Sequence, residues 1–92
     1  MKWQIKFEKS VTKELKKLKR QNESMYNKIK AKLEDIQNFE NPRQLGKNLK
    51  GNLKGYWRYR IEDYRVICEI KDKEFIILVV EVAHRREAYK TK

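Results

Sequence analysis

The sequence predicts an α+β domain in which an α-hairpin packs on one face of a twisted, mainly antiparallel sheet, in the order β-α-α-β-β-β. Three observations carry this. Apolar residues alternate with polar ones at the N-terminus, recur at spacings of three and four between residues 11 and 36, and return to strand-like patterns from residue 56 onward. The strand patterns of the second half are separated only by short turns, so neighbouring strands run antiparallel.

Trp3, Ile5 and Phe7 alternate with Lys2, Gln4, Lys6 and Glu8, the pattern of a strand with one wet face. Ser10 is placed to cap a helix whose inward positions are Val11, Leu15 and Leu18. Gln21-Asn22 breaks it. Asn22 or Ser24 then caps a second helix with Met25, Ile29, Leu33 and Ile36 facing inward. That helix should end near Phe39, because Pro42 disfavours helical geometry at the residue before it. Gly46, Gly51 and Gly55 mark turns in a basic loop.

Gly55 to Arg65 reads as a strand, a Glu62-Asp63 turn and the start of a second strand. Trp57, Tyr59 and Ile61 project to one side, and Tyr56, Arg58 and Arg60 to the other. The next strand, Tyr64 to Ile70, directs Tyr64, Val66, Cys68 and Ile70 to one face. Lys71-Asp72-Lys73 makes another hairpin connection. Glu74 to Ala83 contains the longest apolar run, Phe75 to Val80, as expected of a central strand covered on both faces. Neither a repeat nor a linker divides the chain, so residues 1–92 form a single domain.

Lys and Arg total 24 against 13 Asp and Glu, a net charge of +11 that points to a polyanionic partner, nucleic acid or acidic protein. Between Glu40 and Glu62 no acidic residue occurs, while Arg43, Lys47, Lys50, Lys54, Arg58 and Arg60 all fall there. The helical lysines (Lys9, Lys13, Lys16, Lys17, Lys28, Lys30, Lys32) read either as a solvated face or as a docking surface for RNA backbone or an acidic partner. One Cys and one His cannot build a structural metal site, and no P-loop pattern is present, so neither metal nor cofactor is expected. Cys68 reads as a small buried hydrophobe. A lone cysteine and no leader-like segment predict a cytoplasmic setting, and an apolar run of six residues predicts no membrane span.

The remaining chemistry suits phosphate: Arg58, Arg60, Arg65, Arg85, His84 and Tyr89. Cutting RNA without metal uses the 2′-hydroxyl as nucleophile and gathers negative charge on the phosphoryl oxygens. An arginine fork pairs two donors with such a group. Arginine stays protonated and is a poor base; His84 is the only side chain with an unperturbed pKa near neutrality. Tyr89 can act as an acid or stack on a base. The catalytic candidates are thus Arg60, Arg65, His84, Arg85 and Tyr89, and the RNA-binding candidates Lys50, Lys54, Tyr56, Arg58 and Arg86. Plainer readings stand beside these. His84 also reads as structural, Arg58 and Arg60 as simple phosphate binders, Trp57 and Tyr59 as core, and Arg86 and Lys90 as surface charge. Glu62-Asp63 reads as a turn rather than an acid–base pair.

The chain resembles the RelE/ParE toxin superfamily of type II toxin–antitoxin systems. The resemblance runs nearly its whole length. It is most specific in Leu49-Lys50-Gly51, Gly55-Tyr56-Trp57-Arg58-Tyr59-Arg60-Ile61, Asp63-Tyr64-Arg65-Val66-Ile67 and His84-Arg85-Arg86-Glu87-Ala88-Tyr89. It implies a microbial-ribonuclease-like fold and a RelE-like toxin that cuts mRNA in the ribosomal A site, neutralised by an acidic antitoxin. It matches Arg65 and Arg85 to phosphate-stabilising arginines and Tyr89 to a C-terminal tyrosine. Arg58 and Arg60 stand where some members carry lysine. The glutamate base of YoeB-like members falls at about Lys47, so that mechanism is not implied. Two further readings are a ParE-like poison of DNA gyrase and a non-catalytic RNA-binding module.

Overall fold

A computed structural model describes residues 3–49, 51 and 55–84. The elements are β1 (Gln4–Phe7), α1 (Lys9–Gln21), α2 (Glu23–Asn38), a 3-10 turn (Pro42–Leu45), β2 (Lys47–Asn48), β3 (Tyr56–Ile61), β4 (Tyr64–Lys71), a second 3-10 turn (Asp72–Glu74) and β5 (Ile76–His84). The five strands form one sheet in the order β1-β5-β4-β3-β2. β1 runs parallel to β5, and every other pair is antiparallel. The predicted α+β order holds, with a two-residue β2 added.

α1 begins two residues earlier than Ser10 would place it. Glu8 is the cap: its N–H donates to Val79 O at 3.1 Å, so the sheet holds it extended, and its carbonyl accepts from Val11 and Thr12 N–H. Ser10 lies inside the first turn instead. Asn22 closes α1 by donating its N–H to Leu18 O at 2.7 Å, and opens α2 by accepting from Met25 N at 3.2 Å. One residue thus ends one helix and starts the next, which makes the hairpin tight. α2 stops at Phe39, which is extended.

Val11 and Leu18 of α1 and Met25, Ile29, Leu33 and Ile36 of α2 are buried against Tyr59, Ile61, Val66, Cys68, Ile70, Ile77, Val79 and Val82. The helices therefore cover one sheet face. β4, not β5, is the middle strand. The expectation of a doubly covered β5 also fails: Ile77, Val79 and Val82 are buried, while Ile76, Leu78 and Val80 are only half-buried. The register explains the unbroken apolar run. Ile67 pairs with Glu81 and Cys68 with Val79, leaving Val80 as an extra residue in a bulge. The bulge shifts the alternation by one, so the inward positions become 77, 79 and 82.

Candidate nucleic-acid interface on the open sheet face

In a sheet, residues directly opposite one another share a face. Arg60 lies opposite Arg65, and Arg58 lies between Lys47 on β2 and Ile67 on β4. Tyr59, Ile61 and Val66 alternate with them and point into the core. Lys47, Arg58, Arg60 and Arg65 therefore gather on the face without helices. Tyr56 lies further along the same face, opposite Glu69.

These cations are not equally satisfied. Arg65 is the most enclosed, its side chain 26% exposed. Its Nη2 reaches Glu81 Oε2 only at 3.4 Å, and its Nε is enclosed with no hydrogen-bond partner among the described residues. A stranded donor of this kind costs roughly 1–3 kcal/mol unless something binds it. Arg58 and Arg60 form no ion pair among the described residues. The open donors of Arg58 and Arg60, beside an Arg65 only loosely paired with Glu81, suit a phosphodiester.

A groove of about 450 Å³, lined by Gln44, Leu45, Gly46, Lys47, Arg58 and Arg60, runs beside this row. Its wall, the first 3-10 turn, is tied down from three sides. The buried Tyr59 hydroxyl donates to Pro42 O at 2.9 Å. Arg43 donates to both carboxylate oxygens of Asp72 at 2.9 and 2.5 Å, with its guanidinium 5.9 Å over the Trp57 ring. Gly46 lets the wall touch β3. A Cβ there would sit 2.7 Å from Tyr59 Cε2 and 2.9 Å from Arg58 O. Gly46 is extended rather than a left-handed turn residue; Gly51 (φ 69°) and Gly55 (φ 94°) take that conformation. The sequence marks Arg43 only as one more basic residue. No spacing rule pairs it with Asp72, 29 positions away.

Burial pushes the Tyr59 phenol well above its ordinary pKa and the Cys68 thiol up to about 12, so neither ionises near neutrality. The hydrogen bond from Arg43 holds the Asp72 carboxyl below its usual value, and the same bond raises Arg43.

His84 does not join the arginines. It lies opposite Tyr64, which packs against the core, and the two rings meet edge-on with centroids 5.1 Å apart. Both belong to the helix-covered face, the opposite side of the sheet from Arg60 and Arg65. Lys50, Lys54, Arg85, Arg86 and Tyr89 lie outside the described residues, as does Lys90. Among the described residues no group of three His, Cys, Asp or Glu side chains could hold a metal ion, and no helix is long and apolar enough to cross a membrane.

Residues 5–89 match the family described as ParE toxin of type II toxin-antitoxin system, parDE. The chain belongs to that family. Toxin RelE of Mycobacterium tuberculosis is 36% identical over 52 residues, covering 56% of this chain and 54% of its own. The chain thus spans about half the length of that curated relative. Toxin structures share the fold. The RelB–RelE antitoxin–toxin complex of Methanococcus jannaschii superposes with a TM-score of 0.73 at 27% identity, over 95% of this chain and 98% of that one. A mutant of E. coli toxin RelE in the free state gives 0.74 at 22% identity, over 98% and 90%. The YoeB–YefM complex of Staphylococcus aureus gives 0.74 at 22%, over 91% and 98%. This ParE-family chain accordingly shares its fold with the RelE and YoeB toxins.

Proposed function

We propose that this toxin is a ribosome-dependent endoribonuclease, acting in the cytoplasm on mRNA in the ribosomal A site and held in check by a cognate acidic antitoxin. The observation that carries the reading is the cross-strand pair Arg60–Arg65 on the open face, beside Arg58, with Arg58 and Arg60 in no ion pair among the described residues. A scissile phosphodiester laid across β3 and β4 would take its oxygens to these donors. Arg58 and Lys47 would hold the neighbouring phosphate in the groove, and Tyr56 would stack on a base. The 2′-hydroxyl attacks phosphorus, the 5′-oxygen leaves, and a cyclic phosphate remains. The arginines stabilise the charge that develops, and the ribosome-bound message supplies orientation.

Arg85 and Tyr89 complete the proposed catalytic set on the strength of the family motif, and Lys50, Lys54 and Arg86 the RNA-binding set. His84, on the helix side, drops out of the group able to touch a phosphate on the arginine face.

The test maps mRNA 5′ ends in a translating lysate with added protein. Wild type should cut at codon-positioned sites, and Arg60→Ala and Arg65→Ala should each lower the rate about 100-fold or more. Equal cutting by both variants would overturn the assignment. The match to the ParE family favours one second reading, a gyrase poison. Intact mRNA with broken DNA would establish that instead.

A further inference from the structure

With His84 on the helix side, the 2′-hydroxyl of a bound message meets mainly cations on the open face: Lys47, Arg58, Arg60 and Arg65. One proton acceptor stands among them. Glu81 reaches this face because the bulge at Val80 shifts the alternation of β5, and bulges beside active sites commonly re-aim one side chain. It lies opposite Ile67, which lies opposite Arg58, so Arg58, Ile67 and Glu81 form one row across the sheet. Ile67, 1% exposed, gives that row an apolar floor. Glu81 Oε2 is 3.4 Å from Arg65 Nη2, and this loose contact is its only hydrogen bond or ion pair among the described residues. The other carboxylates nearby are worse placed. Glu62 turns to Lys28 of α2, and Asp63 lies in the exposed turn. Glu69 is opposite Tyr56, four positions along β4 from Arg65, or about 13 Å.

We propose that Glu81 is the general base of the cleavage step, a role that rests on the ribonuclease reading above and names the residue that takes the proton. An attacking 2′-oxygen stands about 3–3.5 Å from phosphorus, so a carboxylate touching the arginine that holds the phosphate is within hydrogen-bond reach of that hydroxyl. A Glu81 oxygen takes the 2′-hydroxyl proton, and the freed electron pair of O2′ forms the bond to phosphorus. The bond from phosphorus to the 5′-oxygen breaks, leaving its electron pair on that oxygen. A water molecule protonates the departing oxygen, and the resulting hydroxide takes the proton back from Glu81. Atoms and charge balance: the diester becomes a cyclic phosphate and a 5′-hydroxyl, and Glu81 ends as it began. Arg65 holds both partners, the carboxylate through Nη2 and the phosphate through its other donors. A plainer role for Glu81, a counter-ion that steadies Arg65, leads to different kinetics. Removing an anion from a phosphate site strengthens its pull on the message and takes nothing from the proton transfer.

Glu81→Gln separates the two, because the amide keeps an acceptor for Arg65 but cannot take a proton. Its single-turnover cutting of mRNA on programmed ribosomes should fall about 100-fold or more. Its binding to ribosomes whose message carries a 2′-deoxyribose at the mapped cut site should be as tight as that of wild type, or tighter. Such a message lacks the nucleophile and reports binding alone. In Glu81→Ala, which leaves room for a small carboxylate, added formate should restore cutting about tenfold or more. Asp63→Asn and Glu69→Gln should cut at the wild-type rate. Glu81 is half-exposed, and circular dichroism checks that each variant stays folded. Cutting by Glu81→Gln at or above the wild-type rate would overturn the proposal. So would a loss of rate matched by an equal loss of binding, an equal loss in Glu69→Gln, or no rescue by formate. Each of these leaves the nuclease reading standing, whereas no cutting by wild type would overturn both.

Discussion

Gly46→Ala isolates the contact on which the groove wall rests. The residue is extended, a conformation alanine adopts freely, so no backbone strain enters and the effect is wholly steric. The added methyl would meet Tyr59 Cε2 at 2.7 Å, Arg58 O at 2.9 Å and Tyr59 Cδ2 at 3.0 Å, where relaxed carbon contacts lie near 3.5–4.0 Å. Neither neighbour yields cheaply. The Tyr59 ring is fully buried and its hydroxyl is bonded to Pro42 O, while the Arg58 carbonyl belongs to a strand paired on both sides. Overpacking of this kind costs about 1–3 kcal/mol. In a domain of this size each kcal/mol lowers Tm by about 4–8 °C, so the expected drop lies between about 4 and 24 °C. Thermal unfolding by circular dichroism reads it. A double variant with Tyr59→Val should lose less than the sum of its two singles, because the ring clash is then gone. A Gly46→Ala variant melting within about 1 °C of wild type would show that the wall does not lean on β3 as described.

Tyr59→Phe removes the hydroxyl and strands the Pro42 carbonyl, and should cost about 1–3 kcal/mol in denaturant unfolding. Arg65→Lys keeps the charge but loses the fork; cleavage should fall by about ten- to a hundredfold while Tm moves little, since the ion pair to Glu81 is long and partly exposed. Asp72 has its folded pKa depressed by Arg43, so its contribution is present above the ordinary carboxylate pKa and is lost as pH falls through the depressed one. Asp72→Asn should therefore flatten the acid limb of stability below about pH 4, by no more than about 1 kcal/mol because the pair is solvent-screened. Cys68, buried and with its thiol pushed up to about 12, should react with a thiol reagent only at the rate of unfolding.

Much of this architecture was legible because local pattern and tertiary demand agree. The stripe Met25, Ile29, Leu33 and Ile36 predicts the buried face of α2 residue by residue. The alternation in Tyr56 to Ile61 predicts which side of β3 holds arginine and which holds core. Legibility ends where a contact is set by distant residues. Ser10 has the better capping side chain, but the backbone bond from Glu8 to Val79 decides where α1 begins. Gly46 looks like a turn glycine, yet its role is contact with a ring 13 positions away in sequence. The Arg43–Asp72 latch has no local signature at all.

The placement of His84 shows how one such contact reshapes the functional site. Counting by twos from the buried pair Ile77 and Val79 would turn Glu81 and Ala83 inward and His84 outward, beside Arg60 and Arg65. That count would bury a carboxylate in an apolar core without a partner, which is far costlier than losing one ladder pairing. The bulge at Val80 avoids it: Val82 goes inward, Glu81 comes out to meet Arg65, and His84 follows Val82 to the helix side against Tyr64. The shift that gives Arg65 its carboxylate neighbour also removes the imidazole from the arginine face. If cleavage proceeds there, His84→Gln should keep nearly full activity in the mRNA assay with a modest loss of stability. Loss of cleavage in a folded His84→Gln variant would refute this placement of the imidazole away from the reacting phosphate.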